Sequence, residues 1–121
     1  MTKVINLFSG PGTGKSTCAA MIFAELKRRH ISCELITEHA KDLVWEDRHV
    51  ALTCQPYIFG QQLLKIHRLD ERVDFIISDS PLLLSIIYNS DYSEKFNEVV
   101  LETFNYYENI NILLMRKSTA G

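Results

Sequence analysis

Residues 8–17 read FSGPGTGKST. Three glycines, a proline and a lysine separate an apolar run, Val4-Ile5-Asn6-Leu7-Phe8, from a helical pattern that opens near Lys15. Glycine lets the backbone turn tightly and aim successive N–H groups into one concavity. A helix that starts directly afterwards adds its unpaired first-turn donors and the positive end of its dipole. Strand, glycine loop and helix together make the context in which a phosphate-holding loop is credible.

On that reading Gly10, Pro11, Gly12, Thr13, Gly14, Lys15, Ser16 and Thr17 form a cradle for phosphate groups. Lys15 brings a full charge to the β/γ region, Ser16 offers a hydroxyl to Mg²⁺, and Thr17 reaches the α-phosphate. The usual spacing G-x-x-x-x-G-K-[ST] is met at Gly14, Lys15 and Ser16. Ser9 stands where the first glycine belongs, while Gly10 and Gly12 keep the loop flexible. The plainer alternative is a glycine-rich turn with a chance lysine; the alignment of strand, loop and helix argues against it.

Outward from this stretch the chain alternates between two periodicities. Lys3–Phe8 predicts a buried strand, and Lys15–Arg29 a helix whose Cys18, Met21, Ile22 and Leu26 share one face. Ser32–Thr37 predicts a second strand and 38–44 a short helix. Thr53 caps a helix running to Arg72, with Pro56 tolerated in its first turn; Phe59, Leu63 and Ile66 form its stripe. Val73–Ser78 is the third strand. Asp91 and Glu94 fit a capping box for a helix to Tyr107, and Ile110–Met115 is the fourth strand. The alternation predicts an α/β layer structure with a mainly parallel sheet. Strands one, three and four are nearly all apolar, as expected when helices cover both faces.

Ligands of such sheets sit beyond the carboxyl ends of the strands. The third strand delivers Ser78-Asp79-Ser80-Pro81 there. Asp79 suits a metal-anchoring role beside Ser16, as a Walker B residue does; its alternative is to cap the segment after Pro81. No glutamate follows Asp79, which argues against a mechanical motor. The second strand delivers Glu38, a carboxylate placed to orient or deprotonate an attacking hydroxyl, against the alternative of a solvated acid in a helix's first turn. Lys15, Glu38 and Asp79 are therefore the catalytic candidates, and Ser16 with Asp79 the metal candidates. His39, Arg48, Arg68, Trp45 and Tyr57 have weaker claims, and structural or surface roles suit them better. Cys18 reads as core.

The 121 residues suffice for one domain, and the net charge of -2 shows no basic field for nucleic acid or membranes. Cys18, Cys33 and Cys54 form no CxxC pair, so free thiols in a reducing cytosol are expected. No apolar run is long enough for a membrane span, and the start shows no signal-peptide pattern.

With SGPGTGKST, ITEHAKD and IISDSPLLL in view, the chain resembles the small P-loop kinases of the nicotinamide riboside kinase-like and nucleotide kinase type. It is more closely similar to their phage-encoded relatives, labelled AAA-type ATP-binding proteins. The resemblance runs from Lys3 to Arg116. It implies a single P-loop nucleotide-binding domain over 1–121, a three-layer αβα sandwich with a four-stranded parallel sheet of order 2-3-1-4. It implies ATP and Mg²⁺ as cofactors and transfer of the γ-phosphate to a nucleoside, nucleotide or related small metabolite. The alternative is a catalytically weak nucleotide-binding module that acts through protein partners. Against the resemblance, the fifth strand, the arginine-bearing lid and the adenine loop are expected to be missing. A bare edge on the fourth strand would follow, to be covered by a second copy or a protein partner.

Overall fold

The apolar run at the head of the chain forms β1 (Lys3–Ser9), and the glycine stretch leads into α1 (Lys15–Arg28). The structure, a computed structural model, describes residues 1–9, 14–37 and 54–115. Next come β2 (Cys33–Ile36), α2 (Gln55–Leu69), β3 (Phe75–Ser78) and the single turn α3 (Leu84–Ile87). The last elements are α4 (Glu94–Tyr106) and β4 (Glu108–Leu114). The helix expected over 38–44, the cap expected at Thr53 and the tail from Arg116 lie outside the described residues.

The strands pair in parallel in the order β2-β3-β1-β4, the order expected above. Successive side chains of a strand point to opposite faces, and β1 shows this directly. Val4 enters a cluster with Ile36, Phe59, Ile66, Ile76, Val100 and Phe104, supplied by α2, α4 and the sheet. Ile5 and Leu7 enter a second cluster, with Ala19 of α1, Cys33 and Ile77. Helices on both faces give three layers. Each fully buried aliphatic side chain contributes about 1.5–3 kcal/mol relative to exposure, so β1, with Val4, Ile5 and Leu7 almost wholly buried, is the axis of the fold.

The expected core face of α1 needs one correction. Met21 is 67% exposed, while Ala19 is buried and Cys18, Ile22, Phe23 and Leu26 pack on the second cluster. The buried face is centred on Ala19 and Ile22; at 100° per residue Met21 falls well off that centre. Cys18 belongs to the packed side, as expected. In α2, Gln62 is buried beside Phe59 and Ile66, while Leu63 is only partly covered. Burial of this amide is accounted for by its Nε2, which donates to the Thr37 carbonyl at 3.2 Å.

The capping box at Asp91 and Glu94 does not form. The N-cap of α4 is Ser93, and its side chain makes no capping bond. Asn89 organises the approach instead: its Oδ1 accepts from the Tyr92 N–H at 2.9 Å, and its Nδ2 donates to Tyr92 O at 3.1 Å and Asn97 Oδ1 at 2.9 Å. That turn takes up Asp91 and delays the helix to Glu94. Helix α2 is likewise capped by Cys54, one residue later than expected.

The largest departure is β4. It pairs with β1 over all seven residues, from Lys3↔Glu108 to Ser9↔Leu114, so it starts two residues earlier than expected. None of its residues is buried; Ile110 is 39% and Leu113 67% exposed. Helices therefore do not cover both of its faces. What locks its register is polar. Asn6, 1% exposed in β1, donates from Nδ2 to Asn109 Oδ1 at 2.9 Å and Asn111 Oδ1 at 3.0 Å. Asn109 Nδ2 in turn donates to the carbonyls of Phe104 and Tyr107, tying β4 to the end of α4. A slip by one residue would turn these amides to the other face and leave Asn6 buried without acceptors.

Candidate functional site

Strands β1 and β3 are neighbours, with Asn6 beside Ser78, so their carboxyl ends open on the same rim of the sheet. The chain returns over that rim through Gly14, the N-cap of α1. Gly14 has φ 77 and ψ 29, in the left-handed region. A Cβ there would meet nothing within 4 Å, so the demand for glycine comes from backbone conformation, not from space. The first bond into the helix runs from the Cys18 N–H to Gly14 O at 2.9 Å. The amides of Lys15, Ser16 and Thr17 precede it in the first turn, and the N-cap, being glycine, has no side chain to bond them. They form the positive end of a 14-residue helix, with Lys27 and Arg28 at its opposite end.

Asp79 follows β3 directly and is 3% exposed. The Ser16 hydroxyl, in the first turn of α1, donates to its Oδ2 at 3.1 Å. Its Oδ1 is buried and has no hydrogen-bond partner among the described residues. An unpaired buried acceptor costs about 1–3 kcal/mol, more when it carries charge. Folding does not place a half-satisfied carboxylate at the end of a strand for stability alone. The capping alternative for Asp79 fails, since the short helix beyond Pro81 is capped by Leu83 with no side-chain bond. Ser78, wholly buried, uses its Oγ to accept the Ser80 N–H at 3.2 Å and so fixes the turn that carries Asp79.

Ser9 is the last residue of β1, so the position of the missing first glycine is strand and not loop. Its buried Oγ also lacks a partner among the described residues. Lys15 is half-buried and forms no ion pair among the described residues. Thr17 and Gly14 border an apolar groove of about 570 Å³ that runs along α1 past Cys18, Met21 and Ile22. Among the described residues no cluster of three or more His, Cys, Asp or Glu side chains could hold a metal. A cation between Ser16 and Asp79 would find a hydroxyl and a carboxylate oxygen of the protein there. That suits Mg²⁺, which keeps its waters and binds through one or two protein oxygens. The orphaned Asp79 Oδ1 and the adjacent hydroxyl fit such an ion.

Of the residues singled out in the sequence, the structure brings together Gly14, Lys15, Ser16, Thr17 and Asp79. Gly10, Pro11, Gly12, Thr13, Glu38, His39, Trp45 and Arg48 lie outside the described residues. Arg68 is exposed and lines a groove along β2 with Glu34, Lys65 and Arg72, so it is a surface residue in keeping with the plainer expectation. Tyr57 sits in the first turn of α2. Sequence reasoning does not single out Gln62 or Lys65. Both donate to the carbonyl of Thr37, Lys65 Nζ at 3.0 Å, and so fix the carboxyl end of β2 just before Glu38. A glutamine inside an otherwise apolar stripe was the available signal.

The three cysteines are free. Burial pushes the Cys33 thiol up, as for a core residue. The Tyr92 hydroxyl, 3.4 Å from Cys54 Sγ, together with the Tyr57 amide, holds the Cys54 thiol below its ordinary value. Among the described residues no helix is long and apolar enough to cross a membrane.

No protein-family model matches the chain, and no curated protein matches it. Among solved structures it is similar to a Mycobacterium tuberculosis APS kinase, CysC, studied as a cysteine-to-alanine mutant. The two share 14% identity at a TM-score of 0.52, over 98% of this chain and 81% of the other. At that identity the likeness is one of fold: a parallel α/β sheet with helices on both faces.

Proposed function

We propose that this chain binds ATP with Mg²⁺ and transfers the γ-phosphoryl group to a nucleoside, nucleotide or similar small hydroxyl-bearing metabolite. One observation carries the reading: the buried Asp79 carboxylate, bonded through one oxygen to Ser16 and orphaned at the other, beneath the N-terminus of α1. In phosphoryl transfer the protein's work is positioning and charge neutralisation. The first-turn amides of α1 and the residues of the glycine loop hold phosphate oxygens. Lys15 supplies the side-chain cation nearest to them in sequence. Ser16 and Asp79 would hold Mg²⁺, which neutralises phosphate charge when bound. Glu38, following the anchored Thr37, orients the acceptor hydroxyl and accepts its proton.

Titration calorimetry with Mg²⁺ and ATP tests the first half. A saturable heat is expected, with affinity lowered about 100-fold in Lys15→Ala, as for loss of a charge-stabilising contact. ADP release with a panel of nucleosides and nucleotides tests the second half. Turnover that depends on an acceptor, and falls about 100-fold in Glu38→Gln while ATP affinity holds, supports the kinase. Tight ATP binding with no acceptor-dependent turnover supports the nucleotide-binding module instead. No heat with Mg²⁺ and ATP ends both readings.

A further inference from the structure

Away from the rim, buried polar side chains among the described residues find partners. Thr2 donates to the Val73 carbonyl at 2.6 Å, Asn6 to two asparagines and Gln62 to Thr37. Among the described residues only two buried side-chain atoms have no hydrogen bond, Ser9 Oγ and Asp79 Oδ1. Both belong to the carboxyl ends of neighbouring strands, and both lie on the α1 side of the sheet. Side chains alternate along a strand. Ile5 and Leu7 of β1 pack with Ala19 of α1, and Ser9 is next in that series. On β3, Ile77 joins the same cluster and Asp79 follows it by two, its Oδ2 bonded to Ser16 of α1. With Asn6 opposite Ser78, Ser9 is two residues further toward the rim than Asp79.

We propose that Ser9 is a binding residue of the nucleotide site, its hydroxyl and the free oxygen of Asp79 together receiving the water shell of the Mg²⁺ that accompanies ATP. Ser9 is thereby added to the site proposed above, on which its role rests. Donor counting selects the ligand class. A carboxylate oxygen only accepts, whereas a serine hydroxyl donates one proton and also accepts. Phosphate oxygens accept, so phosphate alone satisfies Ser9 and leaves Asp79 Oδ1 unpaired. Water on a small divalent cation donates, and Mg²⁺ keeps several waters when bound. Such water donates to both oxygens and leaves the Ser9 proton for a phosphate oxygen. The hydroxyl is an addition to the usual loop, whose glycine at this position has no side chain. The backbone does not explain it: Ser9 pairs with Leu114 as strand and is not among the residues of positive φ. A buried hydroxyl without a partner is a cost that alanine or glycine avoids. The serine is accounted for by what it meets when the site is filled.

Calorimetry with ATP, in Mg²⁺ and in chelator, and melting without nucleotide test this on the whole chain. In Ser9→Ala the affinity for ATP with Mg²⁺ is expected to fall about tenfold, as for loss of a hydrogen bond in a charged site. The affinity for ATP in chelator should stay that of the wild type. Without ligand the same variant should melt about 3 °C higher, because an unpaired buried group has gone. Ser9→Gly, which restores the usual residue of the loop, should lose the same affinity for ATP with Mg²⁺. On the Asp79→Asn background Ser9→Ala should cost less than about threefold, since the two oxygens share their ligand. A wild type that gives no heat with Mg²⁺ and ATP overturns the role of Ser9 together with the ATP reading. Wild-type heat that Ser9→Ala retains in full overturns the role of Ser9 alone and leaves a trapped water as partner of the hydroxyl. So does an equal loss with and without Mg²⁺, an equal loss on both backgrounds, an unimpaired Ser9→Gly, or a Ser9→Ala that melts lower.

Discussion

The rim at Asp79 and the edge at β4 break the rule of burial in opposite senses. At the rim a charged oxygen is buried with no partner among the described residues; at the edge leucine and isoleucine stand in solvent. The two are not equal in cost. A single exposed leucine is ordinary on any protein surface, whereas a buried carboxylate oxygen without a donor forfeits hydration that nothing replaces. The rim therefore says more about function than the edge does, atom for atom. The edge speaks only through accumulation, as a row of seven residues whose outer side pairs with no strand among the described residues.

Asp79→Asn cuts deepest into that contrast. The amide keeps the size of the carboxylate and removes its charge. Nucleotide affinity in the presence of Mg²⁺ is expected to fall about 100-fold, the loss typical when one charge-stabilising contact goes. The same variant without nucleotide should be more stable than the wild type by about 1 kcal/mol, because an uncompensated buried charge has gone. Calorimetry and thermal melting on one sample measure both. A variant that binds less well and also melts lower would mean that Asp79 is a structural group whose orphaned oxygen carries no function.

Gly14→Ala has the next effect. A Cβ at this position meets no atom within 4 Å, so any loss comes from forcing alanine to φ near 77°. About 1–2 kcal/mol of stability should be lost, seen as a lower urea midpoint at unchanged slope. A neutral result would mean that α1 can begin in another conformation, and the rim would then be less fixed than its geometry suggests.

Much of this was legible in the residues, for a definite reason. Strand β1 and helix α1, which carry Lys15 and Ser16 to the rim, are legible because both are local patterns. The place of Asp79 at the rim was expected because it follows the third strand, at the carboxyl end where ligands of parallel sheets gather. The sheet order came from the resemblance and agrees with the observed pairing. What failed depends on neighbours distant in the chain. An apolar run such as INILLM says that a strand forms, not how much will cover it. Asn6, Asn109 and Asn111 look like polar interruptions until pairing brings residues 103 and 105 positions apart into contact. Gln62 is buried only because Thr37 is there to receive its hydrogen bond. Asp91 had the right spacing for a cap and lost to Asn89, whose side chain reaches the backbone of Tyr92 first.

Leu113→Ser has the smallest expected effect, and it separates exposure from partnership. Leu113 is 67% exposed, so its truncation removes little buried surface. Stability should change by less than about 0.5 kcal/mol, as for surface substitutions in general. Leu7, next to the Phe8 that faces it on β1 and 0% exposed, sets the opposite limit: Leu7→Ala should cost about 3–5 kcal/mol through lost transfer energy and a cavity. Were a second copy to cover the edge, Leu113→Ser would instead become more destabilising as concentration rises. Melting curves at two concentrations decide between these cases. A loss that grows with concentration ties the exposed leucine to a partner of the same kind. A loss that is equal and small at both leaves it as ordinary surface, and the difference between the rim and the edge then reduces to one between a functional site and none.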